Sequence, residues 1–247
     1  MTDDFPIEVN NFLSEKACAE AVKTIDDLRT HWISRSNAEL YTLGAAAYLD
    51  ALEPRWAKHF GKPESDPAQY YQNAQQYNPI LQSNFGWLYN TMVQFLEDKL
   101  QAPVCYREDL ALPGFHIFLH SPANAFSATH VPHFDRAFVT LNWDTASHVD
   151  FKKTLSFTLT LQLPQIGGGL KLWDVDYDQV TQLPKDEAKA LVRAQQIRLV
   201  PYEVGGLICH SGNQLHQISP WKSQAEDRRI TLQGHGLLCD DVWVLYW

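Results

Sequence analysis

Three stretches of the chain alternate apolar and polar residues with a period of two. Over residues 154–163, Leu155, Phe157, Leu159, Leu161 and Leu163 alternate with Thr154, Ser156, Thr158, Thr160 and Gln162. Phe115, Ile117 and Leu119 alternate with His116, Phe118 and His120, and Ile230 and Leu232 with Arg229, Thr231 and Gln233. Successive side chains of a strand point to opposite faces, so the pattern predicts strands with one apolar face. In a one-sided sheet the apolar face meets helices and the polar face meets water. In a double-sheet barrel the polar face lines an internal cavity instead. The pattern leaves both arrangements open.

The first hundred residues have a helical texture. Ser14 is placed to cap a helix over about 15–30, with Ala17, Cys18, Ala21, Val22, Ile25 and Leu28 forming one apolar stripe. Residues 37–52 hold a less regular helical stretch, and 53–83, rich in Pro, Gln, Asn and Tyr, reads as irregular. A further helix is predicted over about 85–100, with Leu88, Met92, Phe95, Leu96 and Leu100 inward and Asn84 as its cap. Between strands at 170–174 and 197–209, Pro184 opens a short helix whose early Asp186 and Glu187 suit the helix dipole. Helices first and short strands later predict an α+β, mainly β fold, a jelly-roll (cupin-like) barrel braced by N-terminal helices. The 247 residues fit one domain. Residues 1–103 would form a helical support region, and 104–247 the jelly-roll core with a helical insertion near 175–197.

Hydrophobic residues make up 45% of the chain, enough for a sizeable core. The net charge of -9 argues against a nucleic-acid partner, because phosphate binding needs a basic face. No apolar run reaches membrane-spanning length, so no membrane association is expected. The four cysteines, Cys18, Cys105, Cys209 and Cys239, lack Cys-x-x-Cys spacing and lie among apolar neighbours. They read as reduced, buried thiols. The start, Met1-Thr-Asp-Asp-Phe, has neither the basic nor the apolar region of a signal peptide, and a cytoplasmic location is expected.

The candidate chemistry centres on His133-Phe134-Asp135 and His216. Two imidazoles and one carboxylate held on a rigid sheet form a three-ligand facial site that suits ferrous iron and leaves open coordination positions. On a strand, His133 and Asp135 would face the same side. His116, His120 and His130 compete with His133, and His210 with His216, but only His133 stands two residues from a carboxylate. Arg229 and Thr231 would share one strand face, while Arg228 points out. A guanidinium inside a barrel needs an anionic partner.

The order of these segments carries further information. An apolar strand is followed by Gly167-Gly168-Gly169, then Tyr202-Glu-Val-Gly-Gly-Leu-Ile, Leu215-His216-Gln-Ile-Ser-Pro220 and Asp227-Arg-Arg-Ile-Thr-Leu-Gln233. This order resembles that of the Fe(II)/2-oxoglutarate-dependent oxygenases, in particular the prolyl 4-hydroxylase-like branch, over about residues 112–235. The resemblance implies a double-stranded β-helix. It also implies that Fe(II) is held by His133, Asp135 and His216, and that 2-oxoglutarate is held by Arg229 and Thr231, with dioxygen as co-reactant. Candidate pocket residues are His116, Phe118, Thr158, Thr160, Lys171 and Trp173. The implied reaction is hydroxylation of an unactivated C–H bond of a small molecule, such as an amino acid or natural-product intermediate. Two alternatives stand beside it: a hydroxylase of protein or peptide side chains, and a non-catalytic cupin-like metal-binding module. The helix within 175–197 is expected to cover the pocket mouth. The oligomeric state is not legible.

Overall fold

A computed structural model of the chain describes residues 5–36, 39–51, 67–120, 131–222, 224 and 226–247. The element order begins with β1 (Ile7–Val9), α1 (Glu15–Asp27), β2 (Ile33–Ser36), β3 (Leu40–Leu43), α2 (Ala47–Asp50) and α3 (Pro67–Leu100). Next come β4 (Val104–Tyr106), β5 (Gly114–Leu119), β6 (Val149–Gln162), β7 (Ile166–Gly167) and β8 (Gly169–Asp176). Two helices, α4 (Tyr177–Thr181) and α5 (Lys185–Ala194), precede β9 (Ile197–Pro201), β10 (Leu207–His210) and β11 (Gln214–Ile218). The chain continues through β12 (Trp221–Lys222), β13 (Arg228–Cys239) and β14 (Val242–Tyr246).

The larger sheet runs β1-β10-β6-β13-β5-β3-β2, with β14 joining β13 to β4. A smaller antiparallel sheet, β11-β8-β9, faces it, and β12 pairs with β7. This is the mainly β jelly-roll arrangement that the alternating pattern predicts. Of the two arrangements left open by the pattern, the structure takes the helix-packed apolar face from the first and the inward polar face from the second. The apolar faces of β5, β6, β10 and β13 pack on α1 and α3, where Phe115, Ile117, Leu155, Phe157, Leu159, Leu207, Ile230 and Leu232 meet Ile25, Leu81, Phe85, Leu88 and Met92. The polar faces are not solvated but turn inward, so that Thr154, Ser156, Thr158, Thr160 and Thr231 are all buried.

The N-terminal half departs from expectation in two places. Leu40–Leu43, expected to be helical, is a strand in register with β5 (Leu40 opposite Phe118, Leu43 opposite Phe115). Only Ala47–Asp50 remains helical nearby, while Asn37 and Ala38 lie outside the described residues. Of the stretch expected to be irregular, 53–66 lies outside the described residues and 67–83 is helical. Tyr70, Ala74, Tyr77, Leu81, Phe85 and Leu88 recur at three- and four-residue intervals and are buried, an apolar stripe hidden among Gln and Asn. A kink at Phe85 divides this long helix in two, and the Asn84 amide donates to the Ile80 carbonyl rather than capping a new start. Ser14 does cap α1, its hydroxyl accepting from Ala17 N at 3.2 Å. No described helix is long and apolar enough to cross a membrane.

The role of residues 67–83 as core is open to direct test. Leu81→Ala, at a fully buried site, is expected to cost about 2–5 kcal/mol of unfolding free energy. The exposed neighbour substitution Gln82→Ala should cost within about 0.5 kcal/mol. Denaturant unfolding of both proteins checks this, and equal losses would remove the first half of α3 from the core.

Candidate metal centre

His133 does not lie on a strand, as the sequence suggests, but on an extended segment tied down by a single bridge. Its backbone exchanges two hydrogen bonds with His216 of β11 (N to O 2.9 Å and the reverse 3.0 Å). Asp135 N donates to Gly212 O at 2.8 Å. One short stretch, 212–216, thus fixes the backbone of all three candidate ligands. Their ligand atoms lie within 4.8 Å of one another. Asp135 Oδ2 is 3.2 Å from His216 Nε2, and Asp135 Oδ1 is 3.7 Å from His133 Nε2. His133 Nδ1 meets Val131 O at 2.8 Å and His216 Nδ1 meets Gln214 O at 2.9 Å. A carbonyl only accepts, so each Nδ1 carries a proton and each Nε2 is the nitrogen turned to the shared centre. His130, a competitor in the sequence, lies outside the described residues.

The electrostatics favour the neutral form of His133 and His235 and the charged form of His216 around one anion. Burial works to raise the Asp135 carboxyl, but His216, His235 and His133 hold it well below the usual carboxylate range. Burial and the neighbouring His216 lower His133, and burial lowers His235. For His216 burial acts downward, but Asp135 outweighs it and the value is raised. His210 is not a member of the triad. It lies on the inner face of β10 with its ring centroid 4.4 Å from that of His216, and its Nδ1 meets Ser211 O.

A second group of residues lies further along the interior. On β13, Arg229, Thr231, Gln233 and His235 share one face, with Thr231, Gln233 and His235 opposite Thr160, Thr158 and Ser156 of β6. Phe118 and His116 of β5 lie opposite Arg229 and Thr231. Arg229 is fully buried, and no carboxylate pairs with it among the described residues. Three aromatic rings enclose its guanidinium: Tyr202 at 4.9 Å, Trp221 at 5.4 Å and Phe118 at 5.5 Å. None of its three nitrogens has a hydrogen-bond partner among the described residues, and neither do Thr231 Oγ1, Thr160 Oγ1, Gln162 Oε1 or the Tyr202 hydroxyl. Burial pulls the guanidinium down from its usual value, and the nearby Tyr202 works against that. Arg228 points the other way and pairs bidentately with Asp26 of α1 (2.6 and 2.9 Å), as the alternation requires.

Six of the eight pocket and cosubstrate candidates, those on β5, β6 and β13, lie by register or burial on this inner wall: His116, Phe118, Thr158, Thr160, Arg229 and Thr231. Lys171 and Trp173 do not join them. Leu172, not its neighbours, lies opposite His216. Lys171 and Trp173 therefore occupy the outer face of the small sheet, where Trp173 packs with Val175, Leu215, Leu191 and Val192. Leu191 and Val192 belong to α5, so this helix packs on the outer face of the small sheet. Sequence reasoning missed Tyr202, Trp221, Tyr48 and His235. Tyr48 reaches in from α2 to hydrogen-bond His116 Nε2. Gln233 and His235 continue the alternation of Arg229 and Thr231, the signal that could have found His235.

No protein-family model matches the chain, and no curated protein matches its sequence. Solved structures match in fold. The non-heme alpha ketoglutarate dependent epimerase SnoN from nogalamycin biosynthesis aligns at 13% identity over 94% of this chain and 77% of that one, with a TM-score of 0.50. The non-heme alpha ketoglutarate dependent carbocyclase SnoK from the same biosynthesis aligns at 12% identity over 94% and 78%, also with a TM-score of 0.50. The chain shares its jelly-roll fold with these two non-heme alpha ketoglutarate dependent enzymes.

The buried imidazoles leave a signature in stability. Burial, and then His216, holds His210 down to about 3. Below the unfolded value of about 6.5, the unfolded chain takes up a proton that the folded chain refuses. Stability therefore falls as pH falls from about 6.5 towards 3, by at most about 1.4 kcal/mol per pH unit from this group. His210→Asn is expected to flatten that slope. Denaturation curves at pH 7.5 and 5 would show it, and an unchanged difference between the two pH values would count against a neutral buried His210.

Proposed function

We propose that the chain is a single Fe(II)/2-oxoglutarate-dependent oxygenase domain that hydroxylates a C–H bond of a small molecule, such as an amino acid or natural-product intermediate. The observation that carries this reading is the fully buried Arg229, without an ion-pair or hydrogen-bond partner among the described residues and on the same inner wall as the equally unpartnered Thr231 and Thr160 hydroxyls, inside the same barrel as the His133, Asp135 and His216 cluster. An isolated buried guanidinium costs several kcal/mol, so a fold that keeps one has an anion for it. The far carboxylate of 2-oxoglutarate fits: the planar fork of Arg229 binds it bidentately, with the Thr231 hydroxyl adding a bond. A module that only bound metal would have no use for this clamp. The donor set of two Nε2 atoms and one carboxylate fits ferrous iron.

Fe(II), with 2-oxoglutarate and dioxygen, supplies when bound an oxidative decarboxylation to succinate and carbon dioxide coupled to oxidation of the substrate C–H bond. The protein's residues do the rest. His133 and His216 present lone pairs because their Nδ1 protons are held by Val131 and Gln214 carbonyls. Arg229 fixes the distal end of the cosubstrate. Phe118, Tyr202 and Trp221 exclude water around that end, which strengthens the charge pair. Retention of Asp135 leaves no vacancy for a halide, which supports hydroxylation over halogenation. The two structural neighbours act in nogalamycin biosynthesis by their names, and that supports a small-molecule substrate.

Alanine at His133, Asp135 or His216 is expected to abolish Fe(II) binding and Fe(II)-dependent succinate formation while circular dichroism stays as in the wild type. Full iron occupancy in any one variant removes that residue from the set. Arg229→Ala is expected to raise the half-saturating 2-oxoglutarate concentration far more than Arg228→Ala. A half-made charge pair costs about 2–5 kcal/mol, on the order of tenfold to thousandfold in affinity. An anaerobic titration of the Fe(II) protein with 2-oxoglutarate, followed by its weak visible band, reads this directly. Equal effects at the two arginines would sink the clamp.

A further inference from the structure

The inner face of β13 carries one more polar side chain near the metal cluster, and the proposed activity gives it no role. His235 is buried, six residues beyond Arg229 on the same face. Its Nδ1 lies 3.7 Å from Asp135 Oδ2 and 3.0 Å from the Ser156 hydroxyl. The neighbouring cross-strand pair, Gln233 with Thr158, is bonded only within itself, at 3.4 Å. His235 differs because the nitrogen that meets its cross-strand partner also faces a carboxylate.

We propose that His235 is the positioning residue of Asp135, its Nδ1–H directed at the carboxylate and its ring held in that orientation by Ser156. This rests on the reading of Asp135 as a metal ligand. The tautomer follows from the surroundings. An unprotonated Nδ1 would turn a lone pair towards a carboxylate in a poorly solvated interior. A protonated Nδ1 turns a donor towards it, and the Ser156 hydroxyl oxygen can then accept the same proton as a second acceptor. Asp135 Oδ1 and Oδ2 also have His133 and His216 beside them, and a metal ion would occupy the space these three share. With those two imidazoles engaged, His235 is left as the donor that fixes the plane of the carboxylate. Partners of this kind orient a ligand and tune metal affinity. The neighbouring Tyr246, with its ring centroid 5.5 Å away, packs on the His235 ring and limits its rotation.

Two polar replacements of similar size separate positioning from mere filling of space. His235→Asn keeps an amide nitrogen where Nδ1 stands, and His235→Gln moves it to where Nε2 stands. Co(II) serves as the probe, its binding and band shape read from visible absorption on the full chain without 2-oxoglutarate. His235→Asn is expected to bind close to wild type. His235→Gln is expected to bind about 10–100-fold more weakly, with an altered band shape. Equal affinities in the two variants overturn the proposal, whether both match wild type or both are weak. Should His235→Gln fail to fold, Ser156→Ala reads the same link: it frees the ring and should weaken Co(II) binding, and unchanged affinity there overturns the proposal. His216→Ala is the control. If Co(II) binding survives in it, the metal centre itself is misassigned and this inference falls with it. If His216→Ala loses Co(II) while the His235 variants stay equal, only the positioning role fails.

Discussion

The pairing of β6 with β13 imposes two opposite environments on the two faces of one ladder. Leu155, Phe157, Leu159, Ile230 and Leu232 meet the helices, while Ser156, Thr158, Thr160, Thr231 and His235 meet the interior of the barrel. A shift of one residue in this register would expose every apolar side chain to the cavity and every polar one to the helices. Gly234 shows how closely the apolar side is packed. A Cβ there would stand 2.4 Å from Phe157 Cζ, directly across the ladder. The position of the candidate ligands then follows. β10 extends the ladder, and the turn after it carries Gly212 and β11 across to the second sheet, where His216 meets His133.

Polar groups inside a barrel must be paired, and the ladder meets that need unevenly. Near the metal cluster, His235 pairs with Ser156 and Gln233 with Thr158. One step further, Thr231 and Thr160 lie opposite one another, and neither hydroxyl has a partner among the described residues. Arg229 follows, also without a hydrogen-bond partner among them. Satisfied and unsatisfied groups are therefore segregated along a single pair of strands, and the unsatisfied end is the one enclosed by Tyr202, Trp221 and Phe118. Native interiors leave few polar atoms without partners, so a concentration of them marks the place where a ligand completes the structure.

How much of this could be read from the sequence varied with the kind of signal. Period-two alternation located β5, β6 and β13 and put Arg229 inside and Arg228 outside, because a strand offers only two directions. The grouping of His133, Asp135 and His216 was legible because two imidazoles and a carboxylate are chemically distinctive, and the structure brings their ligand atoms within 4.8 Å of one another. Residues 67–83 were not legible: Tyr70, Ala74 and Tyr77 make the buried stripe, and Tyr counts as turn-like or polar when composition is weighed before spacing. Leu40–Leu43 failed for another reason, since a short strand held between β2 and β5 owes its conformation to its neighbours more than to its own residues. Lys171 and Trp173 were misplaced by register. The strand β8 was recognised, but only the pairing of Leu172 with His216 decides which face is inner. The helix α5 was found at the right place, and its thin apolar stripe packs on Trp173 at the outer face of the small sheet.

The charges inside the barrel also bear on the cosubstrate. His133, His210 and His235 are held in their neutral forms, and His216 gives up its proton when its Nε2 becomes a ligand. Asp135 and Arg229 are then the ionised groups that remain among the described residues facing the interior. They are of opposite sign but belong to separate clusters, and no ion pair joins them. A divalent ion beside Asp135 leaves an excess of one positive charge at that end, and Arg229 adds one at the other. A ligand with a single carboxylate would balance one end and leave the other uncompensated in a low-dielectric interior. A dicarboxylate spanning the two clusters balances both. In the proposed reading, the selection of 2-oxoglutarate over a monocarboxylic keto acid thus comes from burying Arg229 without an ionic partner among the described residues.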